Sequence, residues 1–129
     1  MKSNPLTAYR ETDTHTRVET ASPHELIAML FDGAAERISQ AKGAMLRGDR
    51  AIQGERIGKA IDIIASLDAY LDHEQGAEVS KSLESLYDYM VRSLFDANVQ
   101  KAPEKLDEVL GLLEEIRSGW AGADEGKKS

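Results

Sequence analysis

Side chains that could carry catalytic or metal chemistry are few in this chain of 129 residues, and they lie far apart. The chain has no cysteine, which excludes a thiolate nucleophile, a disulfide and a Cys-ligated metal. Its three histidines are His15, His24 and His73, which we place in an N-terminal arm, a first helical turn and a loop. None completes the Glu-x-x-His pair of a di-iron bundle, and none lies in mid-helix as a phosphotransfer histidine does. We therefore expect no enzyme, no metal and no cofactor.

The charge and the hydropathy pattern exclude other functions. The formal net charge is −7 and no basic cluster occurs, so a nucleic-acid backbone would repel the protein. An enzyme such as a helical chorismate mutase would place several arginine and lysine side chains in one cavity. Of Arg37, Arg56 and Arg92, only Arg37 lies near an inner helix face, so we expect no such cavity. The chain begins with polar residues and its apolar runs are short, which predicts neither a signal peptide nor insertion into a membrane. We expect a cytoplasmic protein with one folded domain.

The segment from Ser22 to Glu25 predicts the start of a long helix. Ser22 can act as the N-cap, and Pro23 falls at the first helical position, where its missing N–H is not needed. Glu25 is three residues after Ser22 and can accept a hydrogen bond from the Ser22 N–H, which would complete a capping box. This helix should run from Pro23 to about Leu46.

Three further helices are predicted from the same apolar spacing. They should run from Arg50 to about Leu71, from Ala77 to about Val99, and from Pro103 to about Trp120. Gly48 and Asp49 predict a tight turn after the first helix. The expected core positions are Ile27, Leu30, Ala34, Ile38, Ala41 and Met45, then Ile57, Ala60, Ile61, Ile64, Leu67 and Leu71, then Val79, Leu83, Leu86, Tyr87, Met90, Leu94 and Ala97, and finally Leu106, Val109, Leu113, Ile116 and Trp120.

Four amphipathic helices joined by short turns can bury their apolar faces by packing antiparallel. No segment alternates with period two over the length of a strand. We therefore predict an all-α fold, an antiparallel up-down-up-down four-helix bundle with a mobile N-terminal arm. Residues 1–21 would form the arm, 22–120 the bundle and 121–129 a disordered tail.

The N-terminal arm is polar and has few apolar side chains. One interpretation is a disordered terminus with no further role. The other is an arm that docks on the bundle through Leu6 and Tyr9. The sequence leaves both open.

Several apolar side chains lie outside the predicted core stripes. One explanation is that the stripes are wide and that neighbouring helices bury these residues. Taken together, however, these side chains form more apolar surface than a small monomer usually exposes. A large exposed apolar surface is typical of a partner site. Such a surface suits an amphipathic helix that lies in a groove of the bundle. The candidate residues are Leu26, Met29, Gly33, Ile63, Tyr70, Tyr89, Val91, Phe95, Val99, Leu110 and Leu112, with Leu6 and Tyr9 from the arm and Ala44 further along the first helix.

Several short motifs follow one another in a fixed order along the chain. The first is Thr20-Ala-Ser-Pro-His-Glu-Leu-Ile-x-Met-Leu-Phe-Asp-Gly-Ala34. Those that follow are Gly48-Asp49, Gly54-Glu-Arg-Ile-Gly-Lys-Ala-Ile-Asp-Ile-Ile64, Leu71-Asp-x-Glu-x-Gly76, Leu83-x-x-Leu-Tyr-Asp-Tyr-Met90, Ala97-Asn98 and Glu108-Val-x-x-Leu-Leu113. Together these motifs resemble the FliS family, the export chaperones of bacterial flagellin, and the resemblance extends from Tyr9 to Trp120. The departures include Ala77 in place of a second glycine and Ala102, which is a poor cap for the fourth helix.

The resemblance implies a cytoplasmic chaperone that binds the disordered C-terminal segment of flagellin. It also implies that the complex prevents early polymerisation and delivers flagellin to the export gate of the flagellar type III apparatus. The arm, with Tyr9, would cover part of the binding surface in the free chaperone and contribute to docking at the gate. The residues alone leave a second function open, a structural bundle that self-associates through the same apolar surface.

Overall fold

The computed structural model describes residues 21–74 and 77–128, and the side chains of residues 21–70 and 81–120. Within these residues, four helices follow one another: α1 (Pro23–Leu46), α2 (Arg50–Glu74), α3 (Ala77–Gln100) and α4 (Pro103–Lys128). The described residues contain no strand, and the predicted all-α fold is confirmed. The predicted arm, with Leu6 and Tyr9, lies outside the described residues.

The capping box at the start of α1 is present. The Ser22 hydroxyl accepts a hydrogen bond from the Glu25 N–H at 3.1 Å, and the Glu25 carboxylate accepts one from the Ser22 N–H at 3.3 Å. Pro23 occupies the first helical turn. Two of the N–H groups that a helix start leaves without partners are thus satisfied by side chains.

The turn between α1 and α2 is the tight turn that Gly48 and Asp49 predict. Gly48 has a φ of 79°, in the left-handed region that glycine adopts without steric cost. The Asp49 N–H donates to the Ala44 carbonyl at 2.8 Å, which closes a Schellman motif at the end of α1. The Asp49 carboxylate then accepts from the Ile52 N–H at 3.2 Å and caps α2. One residue therefore ends one helix and begins the next.

The turn between α3 and α4 has the same geometry without a glycine. Lys101 has a φ of 55°, and the Ala102 N–H donates to the Ala97 carbonyl at 3.1 Å. A left-handed conformation costs a residue with a Cβ about 1 kcal/mol relative to glycine. Ala102 is buried, so this residue, a poor cap, packs against the bundle instead of capping α4 with its side chain.

Each helix packs against the next one in the chain, and α4 returns to pack against α1. Since short turns join α1 to α2 and α3 to α4, the neighbours are antiparallel, as the sequence predicts. Alanines let α1 and α2 approach closely at Ala34, Ala41 and Ala60, all fully buried. The larger core side chains include Phe31, Ile38, Ile57, Ile64, Leu67, Met90, Leu94, Leu106 and Leu113.

The core face of α1 is rotated slightly from the predicted stripe. Phe31 and Ala44 are buried, whereas Leu30 and Met45, which were expected in the core, are half-buried. The placement of Ala44 outside the core is therefore wrong. Ile61, Leu83, Leu86 and Ile116 are also half-buried and pack against the margin of the core. The predicted core positions Leu71 and Val79 lie outside the described side chains.

Helix α4 continues past its predicted end at Trp120 and reaches Lys128. The added segment contains Gly122 and Gly126, which are poor helix formers, beside alanine, glutamate and lysine, which are good ones. Its lysines lie at the helix C-terminus, where positive charge is favourable. The segment over 121–128 therefore has helical backbone where the sequence predicts a tail.

Candidate functional site

The predicted partner-binding residues do not form one continuous surface but are distributed over the four helix–helix interfaces. Four of them are exposed: Tyr70 by 50%, Tyr89 by 40%, Phe95 by 56% and Val99 by 79%. The others on the described helices are half-buried: Leu26, Met29, Gly33, Ile63, Val91, Leu110 and Leu112. The strongest candidates for partner contact are thus on α2 and α3.

At the α1–α2 interface, Gly33 and Ile63 are brought together. A Cβ added at Gly33 would lie 3.6 Å from the Ile63 Cδ1 atom, which is ordinary van der Waals contact. The space beside Gly33 is therefore occupied by α2. Leu26 and Met29 lie on the same side of α1, and both remain partly accessible.

At the α3–α4 interface, the Tyr89 hydroxyl donates a hydrogen bond to the Glu108 carboxylate at 2.8 Å. Leu112 packs against the core from the same side of α4. Tyr89 thus exposes part of its ring while its hydroxyl is held by the neighbouring helix.

The α1–α4 interface contains a small groove, and two ion pairs join the helices along this interface. The groove has a volume of about 350 Å³, and Phe31, Leu110 and Leu113 form its apolar floor. Arg117 Nε lies 3.2 Å from Asp32 Oδ1, and Lys42 Nζ lies 2.8 Å from Asp107 Oδ1. Phe31 is 1% exposed, so little of this floor is accessible.

Trp120 adds a third contact between α1 and α4. Its indole stacks on the His24 ring with the centroids 4.2 Å apart and the planes 9° from parallel. The indole N–H also donates to the His24 carbonyl at 3.1 Å. The sequence predicts a buried Trp120 but gives no signal for its partner, because the two residues lie at opposite ends of the chain.

The α2–α3 interface is more open. A groove of about 570 Å³ has an apolar floor that includes Ile64, Tyr87 and Val91. Charged side chains surround it: Asp68, Lys81, Glu84 and Asp88. At the other end of this interface, the Gln53 side-chain amide donates to the Asn98 Oδ1 at 2.8 Å and to the Asn98 carbonyl at 3.2 Å.

The predicted set omits one exposed apolar residue and one buried polar residue. Leu46 is 68% exposed at the end of α1, and an apolar residue in a last helical turn gives no sequence signal for exposure. Gln53 is 1% exposed although it is polar, and only its pairing with Asn98 on another helix explains its burial.

The described residues include acidic side chains on all four of the described helices. Their acidic and histidine side chains form no group of three or more that could hold a metal ion. None of the helices, as far as the structure describes them, is long and apolar enough to cross a membrane.

Comparison with known proteins finds relatives that match most of the chain. The family model described as "Flagellar protein FliS" matches residues 5–127. The chain is 43% identical to the flagellar secretion chaperone FliS of Vibrio cholerae over 115 residues, 89% of this chain and 85% of that protein. It is 44% identical to FliSB of Pseudomonas aeruginosa over 114 residues, covering 88% of this chain and 90% of that protein. For FliS of Salmonella typhimurium, the identity is 42% over 116 residues, 89% and 86% of the two chains.

These relatives are named as chaperones rather than enzymes, which agrees with the expectation from the sequence. The family match covers most of the chain, including the four described helices as far as residue 127. This chain therefore belongs to the FliS family of flagellar secretion chaperones.

Proposed function

We propose that this protein is a cytoplasmic export chaperone for flagellin. It binds the disordered C-terminal segment of the newly made client, prevents premature polymerisation, and delivers it to the flagellar type III export apparatus. The observation that carries the proposal is the exposure of Tyr70, Phe95 and Val99 on a bundle whose core is already complete. Family membership supports the flagellar setting of this surface.

Exposed apolar side chains favour a partner that removes them from water. Phe95 and Val99 are exposed by 56% and 79%, and burial of apolar surface contributes about 25 cal/mol per Å². Tyr70 and Tyr89 add rings with polar ends, which suit an interface that is partly wet. A client segment that wraps around the bundle and folds partly into helices would bury these side chains without any covalent step.

Binding is expected to be coupled to folding of the client. A disordered segment loses conformational entropy when it becomes helical, and this loss offsets part of the gain from apolar burial. The affinity can therefore remain moderate over a large contact area. Reversible binding is necessary for an export chaperone, because the client has to be released at the export gate.

The proposal also gives the N-terminal arm a role, which is to cover apolar surface in the free chaperone. Leu6 and Tyr9 are its candidate contact residues, and they would cover part of the apolar surface until the client arrives. Deletion of residues 1–18 tests this role. We expect the deletion to increase binding of an apolar dye and to change flagellin affinity, whereas unchanged values of both would contradict a covering arm.

Calorimetric titration with the C-terminal segment of the same organism's flagellin tests the proposed function directly. We expect one-to-one binding with a negative heat-capacity change, since apolar surface is buried and the segment folds. No heat at several temperatures from a folded protein would contradict it. A molar mass that rises with the protein's own concentration, without client, would instead favour the self-associating bundle.

A further inference from the structure

Two turns of the chain meet at one end of the bundle, which we call the turn end and which comprises residues 46–50 and 99–105. Helix α2 is antiparallel to both of its neighbours, so the turn after α1 and the turn after α3 lie at the same end. The Gln53 side chain donates a hydrogen bond to Asn98, which places the first turn of α2 level with the last turn of α3. The side chains of both turns therefore form one surface.

The turn end is the basic end of an acidic protein. It carries four cations and two carboxylates, a net charge of +2, and the remaining residues carry −9 because the whole chain carries −7. One of its carboxylates, Asp49, accepts a hydrogen bond from the Ile52 N–H as the cap of α2. Within the described part of the chain, no ion pair involves any of the four cations, which are Arg47, Arg50, Lys101 and Lys105. Their charge is available to an anionic partner.

The two most exposed large apolar side chains of the described residues also lie at the turn end. Leu46 is 68% exposed and Val99 is 79% exposed. They belong to α1 and α3, which are diagonal in the bundle because each helix packs against the next and α4 packs against α1. The two side chains therefore do not share a groove between adjacent helices. A flat surface across the turn end would contact both of them.

We propose that the turn end binds the anionic headgroups of a lipid bilayer, without insertion of a helix. The cations would contact lipid phosphates, and Leu46 and Val99 would enter the boundary between the headgroups and the acyl chains. A protein partner suits this surface less well, since leucine and valine are under-represented among the residues that dominate protein interfaces, and lysine is depleted there. The inference does not rest on flagellin binding, because it requires no client.

The acidic remainder of the chain permits this contact when the bundle stands upright on its turn end. A helix of 24 residues, such as α1, is about 36 Å long. Electrostatic interactions in water are screened over about 8 Å at physiological ionic strength. Carboxylates in the far half of the bundle are then too distant to be repelled by the lipid surface, whereas a bundle lying flat would bring them close to it.

Vesicle flotation with the full-length protein tests the charge requirement. We expect binding to vesicles that contain phosphatidylglycerol, no binding to vesicles of phosphatidylcholine alone, and release by added salt. Arg50→Glu should weaken binding by about tenfold. The variant should remain folded, because a carboxylate is favourable in the first turn of α2. The matched control is Lys81→Glu, at an exposed position near the start of α3, which makes the same change in net charge at the opposite end and should leave vesicle binding nearly unchanged.

Leu46→Ala tests the apolar contact. It should weaken binding to the anionic vesicles by about threefold, because less apolar surface enters the headgroup boundary. The melting temperature should change little, since Leu46 is largely exposed in the folded protein. The control is Tyr70→Ala, an exposed position on α2 far from the turn end, which should leave vesicle binding unchanged. Val99 is also a candidate client residue, so Leu46 is the more specific choice.

The outcomes keep this proposal separate from the proposed function. Failure of the wild type to bind anionic vesicles overturns it, and so do equal losses for Arg50→Glu and Lys81→Glu, which would mean that only the net charge matters. If a soluble peptide of glutamate and leucine binds with the effects expected for Arg50→Glu and Leu46→Ala while vesicles do not bind, the partner is an acidic protein and the lipid assignment is wrong. Calorimetry should show that Leu46→Ala binds the flagellin segment as the wild type does, so either proposal can fail while the other stands.

Discussion

The two phenylalanines of this chain lie at two helix–helix interfaces that differ in how they are closed. Phe31 is 1% exposed at the α1–α4 interface, where two ion pairs and the Trp120 hydrogen bond join the helices. Phe95 is 56% exposed beside the α2–α3 interface, where a wide groove separates the helices over part of their length. The same residue type thus belongs to the core at one interface and to the surface at the other.

Because of this difference, we expect stability and partner binding to depend on different interfaces of the bundle. The α1–α4 interface encloses its apolar floor with contacts from its own residues, so substitutions there should act on the free energy of unfolding. Phe95 has few intramolecular contacts to lose, so substitutions there should act on partner affinity. A chaperone can then carry apolar binding surface while its core remains well packed.

The largest effect is expected from Phe31→Ala. Removal of a buried ring leaves a cavity and should lower the free energy of unfolding by about 3–5 kcal/mol, measured by urea denaturation. Phe95→Ala is the matched control and should change stability by about 0.5 kcal/mol or less. Similar losses for the two variants would contradict the distinction between the interfaces.

Phe95→Asp should weaken the flagellin segment by about tenfold or more, with helicity and melting temperature nearly unchanged. The carboxylate removes apolar contact area and would have to be desolvated in the complex. Calorimetry measures the affinity, and circular dichroism measures the helicity and the melting transition. A collapse of folding would place Phe95 in the core.

Trp120→Phe tests the hydrogen bond that closes the end of the α1–α4 interface. Phenylalanine keeps a ring that can stack on His24 but cannot donate to the His24 carbonyl. We expect a loss of about 1 kcal/mol in the free energy of unfolding, measured by circular dichroism in urea. An unchanged midpoint would mean that stacking and burial alone hold this end.

The smallest effect is expected from Asp107→Asn, which removes the charge opposite Lys42. Their side chains are 52% and 35% exposed, so water screens the pair and the loss should be about 0.5 kcal/mol or less. High salt should remove most of the difference from the wild type. A larger loss that persists in high salt would contradict a screened ion pair.

Local signals in the sequence predict most of the fold. Ser22, Pro23 and Glu25 specify the start of α1 because each acts within one helical turn, and the structure contains both hydrogen bonds of the box. Gly48 and Asp49 specify the first turn for the same reason. Lys101 could not be predicted in a left-handed conformation, since the packing of α3 and α4 imposes it and its residue type does not favour it.

The direction of the α1 core face is less well determined by sequence. Leu30 and Phe31 are adjacent apolar residues about 100° apart on the helix, and apolar spacing alone does not choose between them. In the structure, Phe31 lies beside Leu110 and Leu113 of α4 and is buried, whereas Leu30 is half-buried. The burial of Gln53 depends likewise on Asn98, a partner on another helix that local patterns cannot identify.

For the candidate partner-binding residues, too, the sequence predicts only part of their environment. Wheel positions correctly identify Tyr70, Tyr89, Phe95 and Val99 as apolar residues outside the core. They do not show which helix lies beside each residue, and the half-buried Ile63 and Leu110 are partly covered by neighbouring helices. The division into a closed and an open interface depends on side-chain contacts between distant parts of the chain.

The stacking of Trp120 on His24 also gives the protein an internal optical probe. Trp120 is the only tryptophan in the chain and is 7% exposed, so its emission arises from one apolar site at the junction of α1 and α4. Separation of the first turn of α1 from α4 would hydrate the indole and shift that emission to longer wavelength. Stopped-flow fluorescence can therefore follow opening at this end of the bundle during client binding and release, without an attached dye.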